Sequence, residues 1–435
     1  MTDSTLFVTC FALVPIIGFI FYKSWWPTDN AMAMEQGEEI IPLLSIEATL
    51  AALNISTLTW FRGDPEVSAP IVQNRIKEIV KKNPWLTGRV AKSNGRYALI
   101  YDPTQTNNFT LTHVSNGSNT EVHRNLPLEE YGKKLSSYLV TPGPSKPVWK
   151  ISILPCARNP TKYFAVVVSM SHAVGDGYTF YAIHNMLLSS GKCTAMEAQR
   201  IPNAETIGRA AMGEEEFTIL QSGKFFAHMI KGVLQSLLCS LFLGNQFHMR
   251  YFIVDSDKMT KQKKNAATSM VPFVSTNDVI ASWFFANTKA TFCFMAFNFR
   301  NRLADHFDFH AGNYEGVISY MKGDYETPDL IRKSLATFRR ASVTKFLSYI
   351  EAIHGRSALI SNWSTFAGPN IIEGASEELH LPVYDIVPWF PYNMTVSIIF
   401  RSGQNKTAVM TAGFQENMQG LMKKSCFESD EVFGH

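Results

Sequence analysis

The feature that most constrains the fold is an apolar run followed at once by a glycine-rich turn. Residues Tyr163 to Met170 (YFAVVVSM) are almost all apolar and several are β-branched, which predicts a strand buried on both faces. Residues Tyr178 to Ser189 (YTFYAIHNMLLS) predict a helix directly after the turn. Because a strand of this kind must be covered on each face, we expect an α/β fold.

The rest of the chain alternates predicted strands and helices, which favours two sheets over one. A helix is predicted over 71–82, ending before Asn83-Pro84. Strands are predicted at 96–101, 149–154, 250–254, 291–297, 317–321 and 394–400. Residues 194–216 are polar and predict an irregular crossover. The apolar run at 225–243 is too short after Lys231 to span a bilayer, so it predicts either a helix buried between the halves or an interfacial helix.

Composition excludes several classes of protein. With 435 residues, 46% of them hydrophobic and 18% charged, the chain is not disordered. The net charge is +3 and no basic block is longer than KQKK at 261–264, so no nucleic-acid partner is expected. The six cysteines include no CxxC pair, so neither a disulfide scaffold nor a cysteine zinc site is expected.

The N-terminus carries an uncharged run of 17 residues, Leu6 to Tyr22, followed by Lys23 and the pair Trp25-Trp26. This pattern predicts a single membrane anchor over residues 1–27, with an aromatic belt at its end and the body of the chain on the cytosolic side. A cleaved signal peptide and a helix of the core are the other interpretations. Six Asn-x-Ser/Thr sequons weigh against a cytosolic body.

The candidate chemistry lies in the turn itself, Ser171-His172-Ala173-Val174-Gly175-Asp176-Gly177. A histidine at the carboxyl end of a central strand faces the crevice where α/β proteins bind ligands. Its ordinary pKa of about 6.5 suits a general base. Asp176 follows four residues later, and Gly175 and Gly177 allow tight turns. By spacing alone, a packed histidine followed by an aspartate that caps the next helix explains the segment equally well.

This segment is similar to the His-x-x-x-Asp-Gly signature of the coenzyme A-dependent acyltransferase superfamily. That superfamily includes plant BAHD enzymes, chloramphenicol acetyltransferase, peptide-synthetase condensation domains and wax ester synthases. Further segments resemble the BAHD pattern in the same order: Asn83-Pro84-Trp85-Leu86-Thr87-Gly88-Arg89, Arg250 to Asp255, Ser275 to Trp283, Asn298 to Leu303 with Gly312-Asn313, and Ser361-Asn362-Trp363. The BAHD motif Asp-Phe-Gly-Trp-Gly is missing, because residues 381–390 read LPVYDIVPWF. The chain therefore resembles a diverged branch.

The resemblance implies two chloramphenicol acetyltransferase-like halves with mixed sheets and an active-site tunnel between them. The expected division is a half over 38–190, a crossover with an apolar helix over 191–249, and a half over 250–435. Acyl-coenzyme A would be the co-substrate, with no bound cofactor and no metal. An alcohol or amine would accept the acyl group, and the apolar helix beside an anchor favours a lipophilic acceptor or a long acyl chain. We expect a monomer on the endoplasmic reticulum membrane, with the catalytic body facing the cytosol.

The resemblance also implies roles for particular residues. His172 would take the proton of the acceptor, which attacks the thioester directly. Asp176 would pair with an arginine, with Arg300 the first candidate and Arg302 the second. Ser361 and the indole of Trp363 would stabilise the oxyanion, although a packed core tryptophan is the other interpretation of Trp363.

Two other kinds of protein stay open under this resemblance. One is a condensation or wax-ester-type ligase with a carrier-bound donor, and the other is a catalytically silent lipid-binding relative. Three further features have simpler explanations. Asn277-Asp278 predicts a helix cap, His184 predicts a packed side chain, and His306-x-Asp308-x-His310 predicts a surface loop more than a metal site.

Overall fold

The computed structural model describes the following residues: 37–93, 95–106, 109, 111–115, 121–141, 143, 146–242, 247–302, 308–340, 347–384, 390–403, 406–422 and 427–430. The predicted anchor at 1–27 lies outside them. Within the described residues, no helix has both the length and the apolar character needed to cross a membrane.

The elements alternate along the chain as expected for an α/β protein. The strands are β1 Glu39–Pro42, β2 Asn54–Arg62, β3 Arg89–Ser93, β4 Arg96–Tyr101, β5 Thr112–His113, β6 Trp149–Pro155, β7 Tyr163–Ser171, β8 Phe247–Val254, β9 Phe292–Asn298, β10 Glu315–Met321, β11 Ser357–Asn362, β12 Ser376–Pro382, β13 Met394–Arg401, β14 Thr407–Phe414 and β15 Phe427–Asp430. The helices are α1 Ser45–Leu50, α2 Pro65–Lys82, α3 Leu128–Leu135, α4 Gly177–Leu187, α5 Ala204–Met212, α6 Glu214–Phe217, α7 Gly223–Phe242, α8 Ser256–Ala266, α9 Thr276–Asn287, α10 Pro328–Thr337, α11 Tyr349–His354 and α12 Gln415–Met418.

The first large sheet has the strand order β12-β2-β7-β6-β5, with β7 in its centre. Residues 164–170 of β7 are each at most 1% exposed, as the apolar run predicts for a strand covered on both faces. Its neighbours β2 and β6 both run antiparallel to it. The strand therefore ends at Ser171 in the interior, and the turn that follows is buried as well.

The second large sheet has the order β10-β9-β11-β13-β14-β8-β15. Strands β9, β11 and β13 are parallel to one another, whereas the outer pairs are antiparallel. Two sheet-rich halves with mixed pairing are what the predicted fold class requires. A small sheet, β1-β4-β3, was not predicted.

One strand joins the two halves. β12 follows β11 of the second sheet in the chain, yet it pairs antiparallel with β2 at the edge of the first sheet. The ion pair between Arg401 of β13 and Glu377 of β12 ties this strand back to the second sheet at 2.7 Å. The halves are thus linked by main-chain pairing as well as by side chains.

The crossover differs from the prediction in two ways. Residues 194–216 are not irregular throughout, because they contain α5 and α6. Helix α7 is not buried on all sides: His228 packs against the second half and bonds to the carbonyl oxygen of Ala352 at 2.8 Å, whereas Phe226 and Leu241 on the helix are 62% and 77% exposed. One face of this helix is therefore buried against the second half, and the opposite face is exposed.

Candidate active site

The turn between β7 and α4 is held by close backbone approaches. The His172 amide donates to the carbonyl oxygen of Leu53 at 2.9 Å, which fixes the first residue after the strand. Asp176 caps α4, because its Oδ1 accepts from the Thr179 amide at 2.9 Å. At Gly175 a Cβ would stand 2.6 Å from Cγ2 of Thr179, so no larger residue fits without a shift. Glycine is thus required at position 175 by the close approach of Thr179, and not by an unusual φ.

The imidazole of His172 is oriented by Asn313. Its Nδ1 lies 3.0 Å from Oδ1 of Asn313, and the Nδ2 group of the same amide donates to the carbonyl oxygen of His172 at 2.8 Å. Because that second bond needs the NH₂ group, Oδ1 must be the atom facing Nδ1, and an oxygen can only accept. Nδ1 therefore carries the hydrogen, and the lone pair of the neutral ring is on Nε2.

A second layer of contacts fixes Asn313. Oε1 of Glu47 accepts from the backbone N–H of Asn313 at 2.9 Å. Oε2 of the same carboxylate accepts from Nε of Arg200, also at 2.9 Å. Glu47 is fully buried and the side chain of Arg200 is 5% exposed. Contacts from α1 and from the crossover thus fix Asn313, the residue just before β10 that faces Nδ1 of His172.

A further acid stands beside the other ring nitrogen. Oε1 of Glu315, the first residue of β10, is 3.8 Å from Nε2 of His172. Burial lowers the pKa of His172, so its ring is neutral at pH 7. Burial, with the charge of Asp176, raises the pKa of Glu315 to about 8, although Arg300 opposes the shift. A neutral base and a neutral acid therefore face each other at pH 7.

Asp176 pairs with Arg300, the first of the two arginines suggested by the sequence. Nη1 of Arg300 lies 2.5 Å from Oδ2 of Asp176, and both side chains are almost fully buried. Arg300 also donates to the carbonyl oxygen of Gly312 and lies over the ring of Tyr314, 4.8 Å from its centroid. The pair joins the turn of the first half to the segments before β10, so it shapes the site. Arg302, the second candidate, is exposed.

Ser361 and Trp363 line a cavity of about 760 Å³ between the halves. The cavity is also lined by Gly177, Arg300 and Glu315. Trp363 is 7% exposed, and a Cβ on Gly177 would stand 3.4 Å from its indole nitrogen. The structure thus brings both predicted oxyanion donors to the cavity that Asp176 and Arg300 line, whereas His172 is not among its lining residues.

Other sequence candidates have structural roles, although Ser275 and Asn277 also line the cavity. Ser275 and Asp278 form the capping box of α9, as predicted for a helix start. His184 is 1% exposed, and burial lowers its pKa to about 3. Among the residues that the structure describes, which exclude His306, no group of three or more His, Cys, Asp or Glu is arranged to hold a metal.

Sequence reasoning missed four residues of this site: Glu47, Arg200, Asn313 and Glu315. The only signal was the Gly312-Asn313 pair, whose motif was recognised without a role for the amide. Glu47 and Arg200 are far from His172 in the chain, and no local pattern could join them to it.

Comparison with known proteins shows the fold only. No protein-family model matches the chain, and no curated protein matches it. Polyketide synthase associated protein 5 from Mycobacterium tuberculosis is similar in structure, with a TM-score of 0.57 and 12% identity over 89% of this chain and 96% of that one. The first condensation domain of the calcium-dependent antibiotic synthetase, in complex with a substrate analogue, has a TM-score of 0.56 and 12% identity over 88% and 92%. F. graminearum TRI101, complexed with coenzyme A and T-2 mycotoxin, has a TM-score of 0.50 and 12% identity over 88% and 97%.

Proposed function

We propose that this chain is an acyltransferase that moves an acyl group from coenzyme A directly to an alcohol or an amine, with His172 as general base. The observation that carries the proposal is the Asn313 hydrogen bond, because it leaves the lone pair of a neutral imidazole on Nε2. The cavity between the halves, which is lined by Ser361, Trp363 and Gly177, supports the same function.

The steps follow from the chemistry of the thioester. Nε2 takes the proton of the acceptor as its oxygen or nitrogen attacks the carbonyl carbon. The tetrahedral oxyanion forms, and the hydroxyl of Ser361 and the indole N–H of Trp363 are the proposed donors to it, each worth about 3 kcal/mol. The C–S bond then breaks, and the imidazolium returns the proton to the thiolate. Asp176 is tied to Arg300 and does not touch the substrate.

A carrier-bound acyl donor is the second candidate. The TM-scores of the condensation domain and of the polyketide synthase associated protein exceed that of TRI101, although identities of 12% limit the comparison to the fold. The same base and cavity would serve both donors. Coenzyme A and a carrier protein differ outside the pantetheine arm, so the distinction depends on the mouth of the cavity.

The first experiment is release of the coenzyme A thiol by wild type and by His172→Ala. Donors from acetyl to long-chain thioesters are tested against pooled alcohols, amines and diacylglycerol. We expect release that depends on an acceptor and falls at least about 100-fold in the variant, as for loss of a positioned base. Equal release by both proteins contradicts the proposed role of His172. Turnover only with an acyl-carrier protein assigns the second candidate, and ligand binding without turnover assigns a silent lipid-binding relative.

We further propose that the protein acts at a membrane on a lipophilic acceptor or a long acyl chain. The apolar run at 6–22 and the exposed Phe226, Leu238 and Leu241 of helix α7 support this. Alkaline carbonate extraction of membranes, with glycosylation of the six sequons as a topology readout, tests the anchor and the cytosolic body. Full release into the soluble fraction, glycosylation of the body, or a preference for acetyl-coenzyme A with a water-soluble acceptor contradicts this part.

A further inference from the structure

The carboxyl group of Glu315 is close to the proposed base and also lines the cavity. Its Oε1 is 3.8 Å from Nε2 of His172, the ring nitrogen that does not face Asn313. Glu315 lines the cavity together with Ser361 and Trp363, whereas His172 is not among the lining residues. Glu315 therefore connects the proposed base with the space that contains the proposed oxyanion donors.

Glu315 is also the acid of this site whose carboxyl group is not held in place. The other two acids are fixed by hydrogen bonds from arginines, Asp176 by Arg300 and Glu47 by Arg200. Within the described residues, the carboxyl group of Glu315 makes no hydrogen bond, and its side chain is 25% exposed. It can therefore turn between two partners, one on each side of it.

The surroundings of Glu315 keep a proton on its carboxyl group at pH 7. Burial and the charge of Asp176 raise the pKa of Glu315 to about 8, although Arg300 opposes the shift. Burial lowers the pKa of His172, so the ring is neutral. The resting site thus contains a base without a proton beside an acid that has one. Three further cations line the same cavity: Lys263, Arg302 and Arg332.

Transfer of an acyl group from a thioester needs two proton movements in different places. The acceptor loses its proton to Nε2 of His172 as it attacks the carbonyl carbon, and the sulfur needs a proton as the C–S bond breaks. The acceptor atom then lies between Nε2 and that carbon. The proposed oxyanion donors put the thioester in the cavity, which Glu315 lines and His172 does not. An acid on the cavity side is therefore the more direct source of the proton for sulfur.

We infer that Glu315 is a catalytic acid that protonates the departing thiolate and then takes back a proton from His172. This inference rests on the acyl transfer proposed at His172 and supplies the route by which the proton of the acceptor reaches the sulfur. Glu315 gives its proton to sulfur as the C–S bond breaks, which leaves a carboxylate beside the imidazolium. Nε2 passes its proton to that carboxylate, and both groups return to their resting forms. The products are an ester or amide and the free thiol, and no proton is gained from or lost to water.

The distance between the two groups suits this order of events. In the resting pair both groups are neutral, and 3.8 Å is longer than a hydrogen bond. After sulfur has been protonated, the imidazolium of His172 and the carboxylate of Glu315 have opposite charges and attract each other. A charge-assisted hydrogen bond of about 2.7–2.9 Å can then form, because no other contact holds the carboxylate. The proton returns only when the carboxylate has been created.

The pH profile of kcat/KM gives a readout that a structural role would not move. The probes are octanoyl-coenzyme A and 1-octanol, because the alcohol does not titrate near pH 8. In wild type the activity needs a neutral His172 and a protonated Glu315, so it should fall as the pH rises through about 8. In Glu315→Gln, which has no proton to give, kcat should be about 100-fold lower and this fall should be missing. Glu315→Asp, which keeps a carboxyl group, should partly restore both.

The leaving group gives a second readout. S-(4-nitrophenyl) thiooctanoate has the same acyl chain, but its thiolate is stable without a proton. Glu315→Gln should therefore lose about 100-fold with octanoyl-coenzyme A and at most about 3-fold with the nitrophenyl thioester, after subtraction of the rate without protein. Glu326→Gln, which changes an exposed acid outside the cavity, is the control and should match wild type on both donors.

Three outcomes overturn the inference and leave the proposed acyltransferase intact. They are a fall near pH 8 that persists in Glu315→Gln, an equal loss on the two donors, and a loss in His172→Ala with none in Glu315→Gln. The last outcome would show that the imidazolium protonates the sulfur without help. If wild type releases no thiol that depends on 1-octanol or n-octylamine from either donor, the proposed function itself is wrong.

Discussion

The proposed role of His172 as a base depends on a single amide. Without the Oδ1 atom of Asn313 the hydrogen of the neutral ring could sit on either nitrogen, and a hydrogen on Nε2 would block proton uptake from the acceptor. Burial lowers the pKa of His172, which keeps the ring neutral but does not choose between the two tautomers. Charge state and tautomer are thus set by different features of the site.

Replacement of Asn313 tests this separation. In Asn313→Ala the ring loses its acceptor at Nδ1, so kcat should fall by about 100-fold with a smaller change in KM. The control is Asn370→Ala, which removes another part-buried amide bond, to Glu377, in a region away from the cavity. If both variants lose stability alike and neither loses kcat, Asn313 does not determine the tautomer.

At the scale of elements, the unit that matters is the β7–turn–α4 segment. The strand is buried on both faces, so its end is fixed by pairing with β2 and β6. The helix begins where Asp176 caps it, and the same carboxylate holds Arg300. Asp176 is therefore both the helix cap that spacing suggested and the partner of an arginine that the resemblance implied.

Gly175 is the tightest point of this segment. In Gly175→Ala the added Cβ would overlap Thr179, so we expect a loss of about 1–3 kcal/mol in the free energy of unfolding and a lower kcat as the turn shifts. Gly191→Ala is the matched control, because its nearest neighbour, Oγ of Ser189, is 3.5 Å away. Its free energy of unfolding should change by no more than about 0.5 kcal/mol. Denaturant unfolding of both variants and of wild type measures these free energies of unfolding. Equal stability of all three proteins would contradict the predicted overlap at Gly175.

At the scale of the whole molecule, the halves meet where β12 joins the first sheet, and buried histidines lie at this junction. Nδ1 of His380 on β12 bonds to Thr59 Oγ1 at 2.8 Å, and Nε2 of His380 bonds to the hydroxyl of Tyr181 at 3.0 Å. His184 packs beside His380 with ring centroids 5.2 Å apart, and neither of its nitrogens has a partner within the described residues. Burial, reinforced by Arg401, lowers the pKa of His184 to about 3.

This burial makes the fold sensitive to acid. Because the folded pKa of His184 lies below its ordinary value of about 6.5, the unfolded chain binds the proton first as the pH falls, and stability present above pH 6.5 is lost towards pH 3. At pH 5 the loss from His184 is about 2 kcal/mol. The variant His184→Leu has no titrating ring at this position, and it loses no hydrogen bond of the described residues. Its Tm should therefore fall less than that of wild type between pH 7.5 and pH 5.

The matched variant is His228→Leu. His228 bonds to Ser357 and to the carbonyl oxygen of Ala352, each at 2.8 Å, so its loss should lower Tm at every pH. Differential scanning calorimetry from pH 5 to 7.5 gives the comparison. Parallel Tm profiles for wild type and His184→Leu would show that His184 does not titrate on unfolding.

Local sequence patterns were sufficient to predict those elements whose conformation depends on residues close together in the chain. The apolar β-branched run, the glycines and the aspartate cap of 163–178 predict strand, turn and helix because burial on two faces and helix capping act over a few residues. The same holds for β4, predicted at its observed bounds, and for β6 and β13, each of which extends one residue further. The mixed α/β class with two sheets follows from their alternation.

Tertiary structure alone decided the rest. β12 was not predicted as a strand, and its place beside β2 depends on main-chain pairing between segments more than 300 residues apart. Glu47 on α1 and the pair Asn313 and Glu315 at the start of β10 come together near His172 only in the folded chain. There, Arg200 of the crossover pairs with Glu47, and Glu315 lines the cavity. The sequence names the histidine because its signature is local. The tautomer and the charge state of its ring depend on long-range packing, which no short pattern of residues contains.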